Sequence, residues 1–220
     1  MTTSLFEGEA LERLRMAAAE IAFLTGRGYD AAEVRALVAK TRQLVAEQLE
    51  LLDRSVCSEG QYRARAAKEM LPEDIARRPL LVDGHDVVDA VTSALSGKPL
   101  LEGMDQTVQP LVPGGAPEHV DDALARIGPI LREMRPSKTK WLLAASRPDA
   151  PALQEKLLAA AKKWKVAVEV ELASDPKASL RKAANVATSD PSLIEASKSW
   201  CNLSGPVVAA IDGVVRVKLQ

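Results

Sequence analysis

Two short segments that end in acidic residues carry the side chains best suited to chemistry in this chain. The first runs from Leu80 to Asp86, and the second from Asn185 to Asp190. Each contains a largely apolar run that stops at a carboxylate, which is typical of a buried strand in a parallel sheet. Residues just past the C-terminal ends of such strands line the crevice where α/β proteins bind ligands. Asp83 and Asp190 could therefore share a divalent cation and support phosphodiester hydrolysis.

Two further acidic residues are candidates to support this site. Asp86 lies three residues after Asp83, and Asp175 precedes a predicted helix. We take Asp83, Asp175 and Asp190 as candidate catalytic residues, and these three with Asp86 as candidate ligands of Mg²⁺ or Mn²⁺. A second interpretation is that each Asp only caps the helix that follows, since Asp175 and Asp190 both precede a proline. The sequence leaves both interpretations open.

Short β-rich runs alternate with helical stretches from residue 79 onward, and these elements must position the acidic residues. The predicted strands are 80–83, 140–144, 166–172, 186–188, 207–211 and 214–219, and the predicted helices lie at about 86–96, 118–134, 150–164, 175–184 and 191–200. This alternation predicts a mostly parallel sheet with helices on both faces. Asp212-Gly213 predicts a hairpin between the last two strands, and 96–117 is predicted to be a long loop.

The first 78 residues have a different composition, rich in Ala, Leu, Glu and Arg, with apolar residues at helical spacing. The pattern predicts a first helix that ends near Gly26, a second of up to about 25 residues from Asp30, and a third from Ser58 to about Leu71. We therefore predict a helical N-terminal domain at 1–78 and an α/β domain at 79–220. The long second helix could pack within the monomer or against a second copy, which makes a homo-oligomer possible.

Composition excludes several classes of protein. The 29 Lys and Arg residues nearly balance the 30 Asp and Glu residues, so no overall basic field favours nucleic acid. Cys57 and Cys201 are the only cysteines, which indicates buried reduced thiols in a cytoplasmic protein. With His85 and His119 as the only histidines, a zinc cluster is not expected, and His85 is predicted to be a partly exposed turn residue. No apolar stretch is long enough to cross a membrane, so we expect no membrane partner.

Local basic clusters are the sequence feature that could bind RNA. If Arg77, Arg78 and Arg181 flank the acidic crevice, they would form a rim that tracks phosphates. Aromatic residues that could stack on bases are scarce, because Trp141 and Trp164 lie in patterns that point to the core. We therefore expect no sequence-specific recognition of bases.

A series of motifs in this order resembles a bacterial and archaeal family of two-domain proteins of unknown function. The motifs span roughly residues 24 to 212 and are Thr25–Tyr29, Arg54–Ser58, Val82–Val87, Ala94–Gly97, Trp141–Leu143 and Ala187–Asp190. The C-terminal half of that family resembles a PIN-type or NYN-type nuclease domain, which implies a PIN-like, Rossmann-like α/β fold. The resemblance implies that Asp83 and Asp190 help to hold Mg²⁺ or Mn²⁺ for RNA hydrolysis. Asp175 resembles an acidic residue that often precedes the helix before the second motif.

This chain departs from the family pattern at three places. His85 and Asp86 stand where the family tends to have Tyr and Asn, and Ala144 stands where it tends to have Asp. The loop also lacks the usual continuation after Asp105. Fewer carboxylates bind a hard cation less well. The expected function is a metal-dependent ribonuclease, with two alternatives: a catalytically silent module that binds RNA or protein, or an enzyme that acts on a small metabolite in the same crevice.

Overall fold

The N-terminal part of the protein is helical, as predicted. The structure, a computed structural model, describes residues 3–220, so residues 1 and 2 of the predicted domain lie outside the described range. After a 3-10 helix at Thr3–Phe6, five helices follow: α1 (Gly8–Gly26), α2 (Ala31–Arg42), α3 (Ala46–Ser55), α4 (Glu59–Ala66) and α5 (Pro72–Ile75). Self-association through these helices stays a prediction.

The long helix predicted from Asp30 is wrong, because the chain breaks there into α2 and α3. Asp30 caps α2 as predicted, accepting hydrogen bonds from two backbone N–H groups. Gln43 then adopts a left-handed conformation with φ of 53°, which ends α2. The third predicted helix begins at its Ser58 cap as expected but ends at Ala66, several residues before Leu71.

The rest of the chain alternates strands and helices. Its elements are β1 (Pro79–Asp83), α6 (Gly84–Leu95), β2 (Leu100–Glu102), β3 (Val108–Pro110), α7 (Val120–Met134), β4 (Lys138–Ala144), α8 (Ala150–Trp164), β5 (Val168–Ala173), α9 (Pro176–Leu180), β6 (Val186–Ala187), α10 (Pro191–Ala196), β7 (Trp200–Cys201), α11 (Ser204–Ala209) and β8 (Arg216–Lys218), with a 3-10 helix at Pro117–His119. The predicted loop at 96–117 therefore contains the antiparallel pair β2 and β3.

Five strands form a fully parallel sheet in the order β5-β4-β1-β6-β7. The predicted α/β class with a mostly parallel sheet is confirmed. The first strand of this sheet, β1, lies at its centre. Strands β4 and β5 lie on one side of β1, and the chain then crosses over to place β6 and β7 on the other side. Neighbouring strands β1 and β6 thus form a topological switch point, where the C-terminal ends of the strands leave a crevice.

Helices cover both faces of this sheet because alternate strand residues point to opposite sides. Val82 and Trp141 belong to a large core that includes residues of α6, α7 and α8. Leu142 points to the other face, where it packs with Leu180, the last residue of α9, and with Leu193 of α10. These helices fix the positions of the loops at the C-terminal edge.

The predicted hairpin at the end of the chain is wrong. Residues 207–211 lie mostly in helix α11, and β8 pairs in parallel with β2 in a second sheet of order β3-β2-β8. Helix α11 begins where Asn202 Oδ1 accepts a hydrogen bond from the Gly205 N–H. Val207 and Val208 are both buried although they are adjacent, a burial pattern that suits a helix and not a half-exposed strand.

The second sheet joins the N-terminal helices to the rest of the protein. Leu101 of β2 and Leu219 after β8 pack in one core with Leu14, Val38 and Leu51 of the helices. Segments from both sides of residue 79 therefore share an apolar core. The domain boundary at that residue stays a prediction.

Candidate functional site

A cleft of about 620 Å³ lies at the C-terminal edge of the parallel sheet, at the switch point. Its lining includes all four acidic residues singled out from the sequence, namely Asp83, Asp86, Asp175 and Asp190. In total the lining carries six carboxyl groups and three cationic side chains. The cleft is therefore acidic, although the whole chain is nearly neutral.

Asp83 ends β1 and is the carboxyl group most disturbed by its surroundings. Burial, and after it the nearby charges of Asp86 and Asp190, raise the pKa of Asp83 to about 8. Helix α6 begins at the next residue, but the Asp83 side chain makes no capping hydrogen bond to it. The Asp86 N–H nonetheless acts to lower the pKa of Asp83, so Asp83 keeps a weak interaction with the first turn of α6 and the helix-capping interpretation stays open for this residue.

Asp86, in the first turn of α6, is held across the switch point. Its Oδ2 accepts a hydrogen bond from the Ser189 N–H at 2.6 Å, and its Oδ1 accepts one from Ser189 Oγ at 2.5 Å. Burial raises the pKa of Asp86 even though the two bonds from Ser189 act to lower it. Asp86 thus links the start of α6 to the turn that follows β6.

Asp190 and Asp175 both cap helices, as their Asp-Pro sequences indicate. Asp190 accepts hydrogen bonds from the N–H groups of Ser192 and Leu193, and Asp175 accepts one from Ala178 at the start of α9. Asp190 differs in that it also pairs with an ammonium group, that of Lys177. Burial acts to raise the pKa of Asp190, but the hydrogen bonds from Lys177 and Ser192 outweigh it and lower that pKa.

The cations of the cleft are Arg54, Arg147 and Lys177, and none of the arginines proposed for a basic rim lines it. Arg77 and Arg78 precede β1, at the end of the strand opposite Asp83. The proposed rim is therefore wrong for these two residues, because the strand carries them away from the crevice.

Arg147 and Arg54 differ in their partners. Arg147 lies between two carboxylates, with Nη2 at 2.6 Å from Asp149 and a further pair to Asp89. Arg54, at the end of α3, donates only to neutral groups, the carbonyls of Pro110 at 3.0 Å and Leu111 at 2.8 Å. Burial lowers the pKa of Arg54.

His85 is buried, with 7% of its surface exposed, so the expected partly exposed histidine is wrong. Its Nδ1 accepts a hydrogen bond from the Ala144 N–H at 3.2 Å, and its Nε2 lies 3.8 Å from Asp149 Oδ1. Burial, and then the charge of Arg147, lower the pKa of His85 to about 4. The imidazole is therefore neutral at physiological pH.

Gln109 of β3 connects the helical part of the protein to the switch point. Its Nε2 donates to the Ser189 carbonyl at 2.6 Å and to the Arg54 carbonyl at 3.5 Å. Since Ser189 holds Asp86, one chain of hydrogen bonds joins α3, β3 and α6. Local sequence patterns gave no sign of this connection.

A metal site is chemically reasonable here, although it is not already assembled. Within residues 3–220, no three His, Cys, Asp or Glu side chains converge at the spacing of metal ligands. The donors nonetheless fit Mg²⁺ or Mn²⁺, because hard cations prefer carboxylate oxygens. An added positive charge would also relieve the repulsion that disfavours ionisation of Asp83.

The cysteines offer no alternative chemistry. Cys57 and Cys201 are buried and unpaired, as predicted. Burial raises the pKa of Cys57 to about 11 and that of Cys201 to about 12. Both thus stay protonated at physiological pH, and a protonated thiol is a poor nucleophile.

Comparison with protein families places most of the chain. The family model described as "Domain of unknown function (DUF5616)" matches residues 72–206, which is more than half of the chain. The chain belongs to this family. A second family model, "Protein of unknown function (DUF434)", matches residues 13–68. Neither curated proteins nor solved structures gave a match.

The two matched regions both contribute to the cleft. The DUF5616 region contains all five strands of the parallel sheet and the four acidic residues. The DUF434 region contains α3, and with it the cleft residues Glu50, Asp53 and Arg54. In the described part of the chain, no helix is both long enough and apolar enough to span a bilayer.

Proposed function

We propose that this protein is a PIN-like ribonuclease that uses Mg²⁺ or Mn²⁺ to hydrolyse phosphodiester bonds in its acidic cleft. The observation that carries the proposal is the grouping of Asp83, Asp86 and Asp190 at the switch point, where burial and then the charges of the other two carboxylates keep Asp83 largely protonated at neutral pH. The parallel sheet with its first strand at the centre, and an Asp at the end of that strand, support the PIN-like assignment.

Asp83, Asp86 and Asp190 would hold the cation. A bound cation would supply an activated water and neutralise the charge that develops on the phosphate. The protein fixes two of the three carboxylates in advance: Ser189 orients Asp86, and the N-terminus of α10 orients Asp190. Asp83 would give up its proton when the positive charge arrives.

Asp175 receives no ligand role in this proposal. Its charge is not among those that act on Asp83, whereas the charges of Asp86 and Asp190 are. Because it lines the same cleft, it provides a matched control for substitutions of the other three residues.

A second candidate function for the same cleft is to bind RNA without cleaving it. Lys177 favours this function, because its ammonium group already pairs with Asp190 and also acts on Asp83 and Asp86. A lysine in that position supplies positive charge to the carboxylates without any bound ion.

Calorimetric titration of Mn²⁺ into the wild-type protein tests the proposal. We expect one site that is lost in Asp83→Asn and Asp190→Asn and retained in Asp175→Asn, with circular dichroism confirming that each variant is folded. RNA hydrolysis should then require Mn²⁺ and the same two residues. Absence of Mn²⁺ binding by the folded wild type would refute the nuclease and leave the RNA-binding module.

A further inference from the structure

Two buried N–H groups in the walls of the cleft lack a hydrogen-bond acceptor. They are Nε of Arg54 and Nε2 of His85. In the rest of the described chain, one other buried side-chain nitrogen or oxygen has no hydrogen-bond partner, Arg65 Nε. A buried donor without a partner costs about 1–3 kcal/mol, so each such case in a folded protein asks for an explanation. Both groups donate, so the partner that is missing is an acceptor.

The guanidinium group of Arg54 has donors to spare. Two of its five N–H groups bind backbone carbonyls, which carry no charge. Among the described residues, no carboxylate lies within ion-pair distance of it, whereas Arg147 in the same cleft has two such partners. Arg54 thus has no ion-pair partner in the described part of the chain, although the charges of Glu50 and Asp86 act on it from a greater distance.

The imidazole of His85 offers one neutral donor. Because Nδ1 accepts the hydrogen bond from Ala144, the proton of the neutral ring must lie on Nε2. The side chain is 9% exposed, and the Asp149 carboxylate lies 3.8 Å from Nε2, beyond hydrogen-bond distance. An acceptor oxygen from a ligand would satisfy this group.

Both donors belong to the cleft that contains the acidic switch point. Gln109 bonds the backbone of Arg54 to Ser189, which in turn holds Asp86. The spacing between the Arg54 backbone and the acidic residues is therefore set by hydrogen bonds, not by a flexible loop.

We propose that Arg54 and His85 form an oxyanion subsite that binds a phosphate group of the ligand beside the carboxylates. Arginine suits this task because its planar group donates two parallel bonds to phosphate oxygens. The choice of an RNA phosphodiester as the ligand rests on the proposed function. A small phosphorylated molecule would use the same chemistry.

The test measures RNA binding without a divalent cation, so that it does not depend on the metal site. Fluorescence anisotropy of a labelled single-stranded RNA decamer in EDTA would compare the wild type with Arg54→Gln, Arg54→Lys, His85→Leu and His85→Gln. Arg63→Gln is the control, because Arg63 is an exposed arginine on α4 outside the cleft. Titration with inorganic phosphate, followed by calorimetry, forms a second arm.

We expect Arg54→Gln to weaken binding about tenfold, the loss of one charge-assisted bond. The slope of log affinity against log salt should fall by about one for this variant, which a purely structural defect would not produce. Arg54→Lys should retain most of the slope. His85→Leu should weaken binding about fivefold with an unchanged slope, and His85→Gln, which keeps an N–H donor, should recover it.

Other results separate this inference from the proposed function. Equal affinities for Arg54→Gln, Arg63→Gln and the wild type would overturn the subsite even if Mn²⁺ binds. Arg54-dependent binding in EDTA would support the subsite even if Mn²⁺ does not bind. Phosphate binding that depends on Arg54, without RNA binding, would support the subsite and assign it to a small phosphorylated ligand.

Discussion

Replacing Asp83 with Asn should stabilise the protein at neutral pH, although the residue is assigned to the site. In the folded state the Asp83 carboxyl has a pKa of about 8, against about 3.8 in an unfolded chain. Between these two values the folded protein keeps a proton that the unfolded chain loses, so the free energy of unfolding falls as pH rises. At about 1.4 kcal/mol for each pH unit, the cost at pH 7 is on the order of 4 kcal/mol.

Asn has nearly the same shape as Asp and does not ionise, so Asp83→Asn removes this cost. Because the carboxyls of Asp83 and Asp86 influence each other's ionisation, we expect a measured gain of about 2 kcal/mol at pH 7. The gain should vanish near pH 4, where both the folded and the unfolded wild type are protonated. It should level off above pH 8.

Urea denaturation of both proteins between pH 4 and pH 9 measures the effect. Asp190→Asn serves as the opposite control, because Asp190 caps α10, pairs with Lys177 and has a lowered pKa. That variant should lose about 0.5–1 kcal/mol of stability at neutral pH, because it removes the charge that pairs with Lys177, whereas Asn still caps α10. A lower stability of Asp83→Asn than of the wild type at pH 7, or a difference that does not depend on pH, would refute this reasoning.

Three further perturbations have expected outcomes. Lys177→Gln removes the ammonium group that competes for the carboxylates and should tighten Mn²⁺ binding several-fold by calorimetry; weaker binding would contradict this role. Arg65→Met leaves a buried carboxylate unpaired and should cost about 3–5 kcal/mol in chemical denaturation, whereas Arg63→Ala breaks an exposed pair and should change little. Gly128→Ala would place Cβ 2.3 Å from the Trp164 ring and should lower stability by about 1–3 kcal/mol, while Gly60→Ala, whose Cβ would make only an ordinary contact at 3.9 Å with Ser58, should not.

Strand ends were the part of the site that the sequence could predict. The apolar run before Asp83 and the Asp-Pro pair at Asp190 are local signals, and they correctly place two carboxylates at the C-terminal edge of the sheet. Two long helices beside the parallel sheet were predicted equally well, since α7 and α8 match their expected ranges within two residues, whereas the long helix expected from Asp30 was not. Trp141 and Trp164 also lie in the core as expected, with ring centres 5.8 Å apart.

Features that depend on distant contacts were not predictable. The run at 207–211 is β-branched and short, and such a run has the same composition in a strand and in a buried helix. The break between α2 and α3 occurs at Gln43, without the glycine or proline that usually marks such a site. Arg54 joins the cleft through carbonyls 56 and 57 residues away, a relation that no local pattern contains.

The cleft is built by two regions that separate family models describe, and this shared construction links ligand binding to the docking of the helical part. A ligand that contacts both Arg54 and the carboxylates would favour the docked arrangement, and docking would in turn strengthen its binding by the same free energy. Neither region can then be exchanged for a homologous one without changing the affinity of the whole. Natural selection for ligand affinity would therefore act on the two regions together.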